Sequence, residues 1–225
     1  MKSLIIAGNW KSNKTTAEAL RWLQDFKSHI VSIPKYITVV LCVPFTLLYT
    51  LKETIQSDGF PLVLGAQNLS PFADGAQTGE ESARMVHDLA DWVIIGHSER
   101  RKNFGETDEI LRKKVEQAKS AGLKIIYCVP NDSTGIPNDV DVVAYEPVWA
   151  IGTGESDIPE NANSVMTNIK AKSQVPTVIY GGSVTAANVA SFVSQPAIDG
   201  VLPGGESLDP EKFAALLIAA QSAGI

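Results

Sequence analysis

A chain of 225 residues is long enough for one large domain with a full core but marginal for two, so we expect a single domain over 1–225. The net charge of −6 leaves no basic surplus, which argues against nucleic acid or an anionic membrane as a partner. An anionic substrate would therefore need a local site. Only two cysteines occur, without metal-ligand spacing, and neither a signal peptide nor an apolar stretch of about 18 residues is present. We therefore expect a cytoplasmic protein in a reducing compartment.

Eight short apolar runs follow one another along the chain and predict β-strands. They lie at 3–8, 37–43, 62–67, 91–96, 123–129, 141–145, 177–182 and 198–202. Most are continuously apolar, which is typical of parallel strands buried on both faces. Segments with helical periodicity lie between most of them, at 15–30, 45–56, 79–89, 108–122, 159–172, 185–194 and 209–220. This alternation predicts an α/β fold, a closed (β/α)₈ barrel, which typically has about 250 residues. A doubly wound open sheet is the alternative, but eight parallel strands in so short a chain fit a barrel better.

One interval breaks the alternation. Only NDSTGIPND (131–139) separates the fifth and sixth predicted strands, and it is rich in Gly, Pro, Asn and Asp. A parallel crossover with its helix usually needs at least about 10–12 residues. We therefore expect the helix after the fifth strand to be reduced to a loop. Outward-facing residues there, with Ile126 and Val142 as candidates, would need another cover.

Polar side chains follow three predicted strands at the end of the barrel where active sites of this fold gather. Strand one ends in GNWK, with Asn9 and Lys11. Strand four ends in GHSERR, with His97, and strand six in YEP, with Glu146. Taken singly, a glutamate after a strand is usually a solvated loop residue, a histidine can be a helix cap, and a lysine is usually exposed. Their joint placement at converging strand ends favours a site with an acid, a base and a cation.

Glycines follow the last two predicted strands. GGS at 181–183 and PGG at 203–205 could mark ordinary turns. However, glycines also let backbone N–H groups approach an oxyanion closely, and phosphate commonly binds after strands seven and eight of such barrels. The pattern therefore predicts a small phosphorylated substrate.

Longer motifs resemble those of the triosephosphate isomerase family. In chain order they are GNWK, GAQN, TGE, IIGHSERR, FGETDE, YEPVWAIGTG, YGGSV and GGESL, and they extend over nearly the whole chain. The resemblance implies a TIM barrel and the reversible conversion of dihydroxyacetone phosphate to D-glyceraldehyde 3-phosphate in glycolysis and gluconeogenesis. It implies no metal ion and no organic cofactor.

The resemblance also implies the roles of individual residues, following the known acid–base chemistry of that family. Glu146 matches the general base, and His97 matches a neutral electrophile that polarises the carbonyl. A histidine at a helix N-terminus feels positive partial charge, which disfavours imidazolium. Lys11 matches the cation that stabilises developing negative charge, with Asn9 as its polar neighbour. Glu99 matches a supporting carboxylate that pairs with Lys11.

Further residues follow from the same resemblance. Ser98 belongs with Glu99 among the supporting residues. The segment 147–155 resembles a lid whose closure excludes water and protects the enediolate. The residues expected to hold the phosphate are Asn9, Lys11, Gly152, Gly181, Gly182, Ser183, Gly204 and Gly205.

Three residues depart from the family pattern. Glu155 stands near the lid hinge where a lysine is common. Pro203 and Glu206 flank the glycines where smaller or apolar residues are usual. Because Glu206 would place negative charge near a dianion, phosphate affinity is the property that we expect to differ.

Assembly and rival functions complete the expectations. The segment 68–80 resembles a loop that the family inserts into a neighbouring subunit, so we expect at least a homodimer with Thr78 near Asn9 and Lys11 of the partner subunit. A tetramer that uses the flank without a helix is a second hypothesis. One rival function is a catalytically silent phosphosugar-binding barrel acting as sensor or scaffold. It would tolerate loss of Glu146, His97 or Lys11, yet all three are present. A different phosphosugar isomerase is the other rival, but a small sealed site argues against longer substrates.

Overall fold

The computed structural model describes residues 2–30, 32–147 and 157–223, and it contains the predicted barrel. Eight parallel strands pair in chain order, and β1 pairs with β8 to close the sheet. The strands are β1 Leu4–Asn9, β2 Ile37–Val43, β3 Val63–Ala66, β4 Trp92–Ile95, β5 Lys124–Val129, β6 Val142–Tyr145, β7 Val178–Tyr180 and β8 Gly200–Val201. The (β/α)₈ prediction is confirmed, and the open sheet is wrong.

Helices surround the strands. Within the described ranges they are α1 Thr16–His29, α2 Phe45–Asp58, α3 Ala83–His87, α4 Ser98–Phe104, α5 Asp108–Ala121, α6 Pro159–Ser173, α7 Val189–Val193 and α8 Pro210–Gln221, with a 3₁₀ turn at Gly205–Leu208. Local sequence sets their ends. Thr15 and Glu18 form a capping box at the start of α1, and Gly122 ends α5 in the left-handed region (φ 86°). No helix in the described ranges is long and apolar enough to span a bilayer.

The connection between β5 and β6 contains no helix among its residues 130–141, all of which are described. The prediction for this interval is confirmed. The side-chain oxygen of Asn131 accepts hydrogen bonds from Ser133 and Thr134, which folds the start of the loop into a tight turn. Asp132 then pairs with Lys172 of α6 at 3.2 Å. The loop is therefore fixed to the next helix of the barrel.

The residues expected to need cover on this flank were wrongly chosen. Ile126 and Val142 lie in the apolar layer inside the barrel, not on its outer surface. Side chains alternate along a strand, so Val142 and Glu146, which are four residues apart, share the inner face. The large outward residues are Tyr127 and Tyr145, which are nevertheless 1% and 5% exposed. Ile136 from the loop is partly buried and packs against the same outer core.

Candidate active site

The carboxyl ends of the strands enclose a pocket of about 280 Å³. All of the predicted catalytic and phosphate-binding residues that the structure describes line it. They are Asn9, Lys11, His97, Glu146, Gly181, Gly182, Ser183, Gly204 and Gly205. Gly152 and Glu155 fall within 148–156, outside the described residues, as does nearly all of the predicted lid. In the ranges that are described, no group of three histidine, cysteine or carboxylate side chains is arranged to hold a metal ion.

A carboxylate and an imidazole face each other at the centre of this pocket. Glu146 follows β6 and His97 follows β4, and His97 Nε2 lies 3.0 Å from Glu146 Oε1. The second carboxylate oxygen, Oε2, accepts a hydrogen bond from the Ser98 N–H at 2.9 Å. Glu146 is 2% exposed, so this charge is held almost entirely by protein groups. Ser98 thus contributes its backbone amide.

The hydrogen bonds of His97 define its tautomer. His97 is the N-cap of α4, and its Nδ1 accepts a hydrogen bond from the Glu99 N–H at 3.3 Å. A ring nitrogen that accepts such a bond carries no proton, so the proton of the neutral ring is on Nε2. Nε2, which lies 3.0 Å from Glu146 Oε1, is then the protonated nitrogen of the ring. The imidazole is positioned to donate one N–H into the pocket.

A buried thiol lies against Glu146. Cys128 on β5 is completely buried, and burial, reinforced by the Glu146 carboxylate to which its thiol is hydrogen-bonded, raises the pKa of this thiol well above its usual value. Cys42 on β2 is also completely buried, and burial raises the pKa of its thiol to about 12. Both thiols are therefore protonated at neutral pH, which excludes them as nucleophiles.

The chain after β1 is held in a strained turn. Lys11 has φ 51°, a left-handed conformation that is uncommon for a residue with a side chain. Its N–H donates to Asn9 Oδ1 at 3.0 Å. The side-chain amide of Gln67, after β3, donates to Lys11 O at 2.9 Å and to Cys42 O at 3.1 Å. Gln67 therefore fixes the backbone that aims Lys11 into the pocket.

Lys11 also forms the expected ion pair. Its Nζ lies 2.5 Å from Glu99 Oε1, and the two side chains are 31% and 43% exposed. A pair this exposed contributes about 0–1 kcal/mol to stability. Its main effect is therefore to orient the ammonium group between the two halves of the pocket: the half with His97 and Glu146, and the half with the glycine turn after β8.

The glycines after β7 mainly leave room for neighbouring side chains. The Gly181 N–H donates to Tyr145 O at 2.7 Å, so this amide is already occupied. A Cβ on Gly181 would stand 2.9 Å from Glu146 Cγ, and a Cβ on Gly182 would stand 2.2 Å from the Tyr180 hydroxyl oxygen. Both positions therefore require glycine because neighbouring side chains fill the volume above them.

The turn after β8 is more open. Gly204 and Gly205 begin the 3₁₀ turn, and a Cβ on Gly205 would meet no atom within 4 Å. Pro203 O accepts the Asn9 N–H at 2.9 Å, which joins this turn to the end of β1. Glu206 lines the same pocket with a partly exposed side chain, as its position in the sequence predicted.

Fold and site together define a class of protein. A (β/α)₈ barrel with a buried carboxylate and a neutral imidazole in contact, beside a lysine and two glycine turns, can move protons on a small anionic molecule.

Comparison with known proteins identifies the family. A family model described as triosephosphate isomerase matches residues 4–220. The triosephosphate isomerase of Synechocystis sp. is 45% identical over 242 residues, which cover 96% of this chain and 98% of the relative. Those of Trichodesmium erythraeum (40% over 240 residues, 96% and 99% covered) and Dehalococcoides mccartyi (38% over 245 residues, 96% and 96% covered) are also similar. The chain therefore belongs to the triosephosphate isomerase family. Since these alignments are longer than this chain, the relatives contain residues that it lacks.

Two residues at the site were not singled out from the sequence. Gln67 lies within the motif GAQN, which marked the family but suggested no role for the glutamine. Arg101 lies within GHSERR and contacts the ends of two strands. Both bind backbone atoms of distant residues, and such contacts leave no local pattern in the sequence.

Proposed function

We propose that this chain interconverts dihydroxyacetone phosphate and D-glyceraldehyde 3-phosphate by proton transfer through an enediolate. The observation that carries the proposal is the contact of 3.0 Å between His97 Nε2 and the buried Glu146 carboxylate, in a pocket that also presents Lys11 and two glycine turns. Membership of the triosephosphate isomerase family supports the same reaction.

In the proposed mechanism Glu146 is the base. Its carboxylate removes a proton from C1 of dihydroxyacetone phosphate, and the electrons of that C–H bond form the C1=C2 double bond. The carbonyl electrons move to O2, where the His97 N–H and the Lys11 ammonium stabilise the negative charge. His97 moves a proton between the two enediolate oxygens, and Glu146 returns its proton to C2. No step needs a metal ion or an organic cofactor.

The geometry suggests how the substrate enters this arrangement. The His97 Nε2 and the Ser98 N–H lie against the two oxygens of Glu146. A substrate carbonyl can replace the carboxylate as the acceptor for His97 Nε2. Glu146 then turns toward the substrate carbon.

We assign the phosphate to the opposite half of the pocket. Gly204, Gly205 and Ser183 surround the open volume there, with Asn9 and Lys11 between the two halves. We also assign the backbone N–H of Gly152 to the phosphate and a lid function to 147–155. Gly181 and Gly182 contribute mainly by leaving room.

We further propose a cytoplasmic homodimer that acts in glycolysis and gluconeogenesis. Six large apolar side chains are exposed among the described residues, and three of them lie on α2, the segment 68–80 and α3: Tyr49 (65%), Phe72 (47%) and Met85 (50%). Burying them against a second copy would remove apolar surface from water. A tetramer through the helix-free flank is the further possibility. Light scattering distinguishes these states, and the mass of a single chain at micromolar concentration would contradict both.

The activity is tested by the rate of isomerisation of D-glyceraldehyde 3-phosphate, with Glu146→Gln purified in the same way. Removing the base should lower kcat by about 10³-fold, because general base catalysis contributes 10²–10⁴-fold. The variant should still bind inorganic phosphate as wild type does. A folded wild-type protein that binds phosphate but shows no turnover would support the silent barrel instead.

A further inference from the structure

The guanidinium group of Arg101 joins the ends of two strands. Arg101 lies on α4, and its Nε donates to Gly96 O at 2.8 Å. Its Nη2 donates to Cys128 O at 3.2 Å. Gly96 directly precedes His97, and Cys128 is the residue whose thiol contacts Glu146. One planar side chain therefore binds the backbone beside both members of the acid–base pair.

This contact begins where the sheet ends. The pairing between β4 and β5 stops at Ile95 and Tyr127, one residue before the carbonyls that Arg101 binds. On the other side, β5 stays joined to β6, since Val129 O accepts the Glu146 N–H at 2.8 Å. Arg101 thus continues the connection from the strand of His97 to the strand that supports Glu146.

Tyr127 holds the guanidinium group in place. The Arg101 guanidinium carbon lies 5.6 Å from the centre of the Tyr127 ring, and Nη2 also donates to the Tyr127 hydroxyl at 3.2 Å. Gly96 has φ 76°, and a Cβ there would stand 3.1 Å from Arg101 Nη2, so glycine leaves room for the contact. Tyr127 lies on the outer face of β5, on the flank without a helix.

We propose that Arg101, held by Tyr127, is a positioning residue that keeps His97 and Glu146 at the correct distance. The flank lacks a helix that would brace the end of β5, and Arg101 from α4, in contact with Tyr127 on β5, braces it instead. The proposal rests on the roles proposed above for His97 and Glu146. Arginine suits the position because its fork of donors can bind two carbonyls at once, which a lysine cannot do.

The test compares kcat and KM in four variants and the wild type. Arg101→Met should lower kcat by about 100-fold, because displacing a reacting group by about 1 Å has an effect of that size. KM should stay within about twofold, since the phosphate half is not touched. Tyr127→Phe loses one hydrogen bond and should lower kcat about fivefold. Two controls should match wild type: Asp108→Asn, which removes only the exposed carboxylate 2.9 Å from Arg101 Nη1, and Arg112→Met, the same change at an exposed arginine.

A second readout separates positioning from general stability. The chain has three histidines, so ¹⁵N-histidine labelling gives few imidazole signals, and His97→Gln assigns those of His97. In Arg101→Met and Tyr127→Phe the His97 Nε2 and Nδ1 signals should shift, whereas those of His29 and His87 should not. If Arg101→Met does not fold, Arg101→Lys and Tyr127→Phe decide the question.

The proposal is overturned if the folded variants keep kcat within about twofold of wild type and leave the His97 signals unchanged. It is also overturned if they lose only folded fraction, with normal kcat per folded chain. A wild-type protein without turnover would refute the proposed function, but the His97 signals would still report whether Arg101 positions the ring.

Discussion

The two halves of the pocket are built differently. In the half that contains His97 and Glu146, His97 Nδ1 and Glu146 Oε2 each accept a backbone hydrogen bond, and His97 Nε2 lies 3.0 Å from Glu146 Oε1. The carboxylate is almost completely buried. In the half after β8, Gly205 faces open space and Glu206 is partly exposed. The proposed proton-transfer groups are therefore fixed by protein contacts, whereas the half proposed to bind the phosphate is open. Preorganised donors act most strongly where charge develops during a reaction, which explains the asymmetry.

After Glu146, the largest effect is expected at His97. In His97→Gln the side chain can still donate an N–H, but an amide cannot give up and retake a proton on the enediolate. We expect kcat to fall by about 10²–10³-fold with little change in phosphate binding. Steady-state kinetics with inorganic phosphate as a competitive inhibitor measures both quantities. A parallel loss of phosphate affinity would show that the two halves are not independent.

A matched pair of glycine variants tests the same comparison sterically. Gly181→Ala places a Cβ 2.9 Å from Glu146 Cγ and 3.1 Å from the rigid carbonyl of Tyr145, so the base must move. We expect kcat to fall by up to about 100-fold. Gly205→Ala adds the same methyl group where no protein atom lies within 4 Å. Because Gly205 lies in the half assigned to phosphate, any loss should appear in KM, with kcat within about twofold. Equal losses in the two variants would contradict the contrast between the halves.

The two buried thiols in the barrel beneath Glu146 make stability depend on pH. Burial raises the pKa of Cys42 to about 12 and that of Cys128 well above its usual value. Above an unfolded thiol pKa of about 8.5, the unfolded chain releases protons that the folded chain keeps, so stability falls as pH rises. Between about pH 7.5 and pH 9.5 each thiol should lower the free energy of unfolding by about 1.4 kcal/mol.

Urea unfolding at the two pH values measures this loss. Cys42→Ala should show about half of the wild-type pH-dependent loss, because one of the two thiols is gone. The lower stability of the variant itself does not matter, since only the difference between the two pH values is compared. An unchanged loss in Cys42→Ala would mean that other groups cause it.

The smallest effect is expected at Glu206. Glu206→Gln removes a negative charge from the anion half without changing its shape. We expect inorganic phosphate to bind about fivefold more tightly, with kcat unchanged, because like charges near a partly exposed site repel by about 1 kcal/mol. Glu146→Gln, the same chemical change in the other half, should instead lower kcat and leave phosphate affinity unchanged. Unaltered phosphate affinity in Glu206→Gln would mean that this carboxylate points into solvent.

Sequence analysis succeeded where the information is local. Each strand is an apolar run, and Glu146 and His97 directly follow such runs, so their meeting at one end of the barrel could be predicted. The shortened connection was visible because the interval between the fifth and sixth apolar runs is too short for a helix. Ile126 and Val142 were assigned to the wrong face, although counting alternate residues back from Glu146 places Val142 inside.

Other features depend on contacts between distant residues and could not be predicted. The amide of Gln67 and the guanidinium of Arg101 act on carbonyls of strands far along the chain. The occupied N–H of Gly181 depends on the register between β6 and β7. Helix α3 is also shorter than its predicted segment, because Gly79 has φ 91° and Ser82 caps the helix after it.

The short connection between β5 and β6 also affects the order in which the barrel assembles. Ile126 pairs with Val142, whereas Ile94 pairs with Ile126 and Val143 with Val178, so the β5–β6 loop spans about half as many residues as its neighbours. Closing a loop of half the length costs about 0.6 kcal/mol less chain entropy, and no intervening helix must form first. We therefore expect the amides of β5 and β6 to gain protection before those of β1 and β8 in pulsed hydrogen exchange during refolding. We therefore expect the short connection on the outside of the barrel to select the pair of strands from which folding starts.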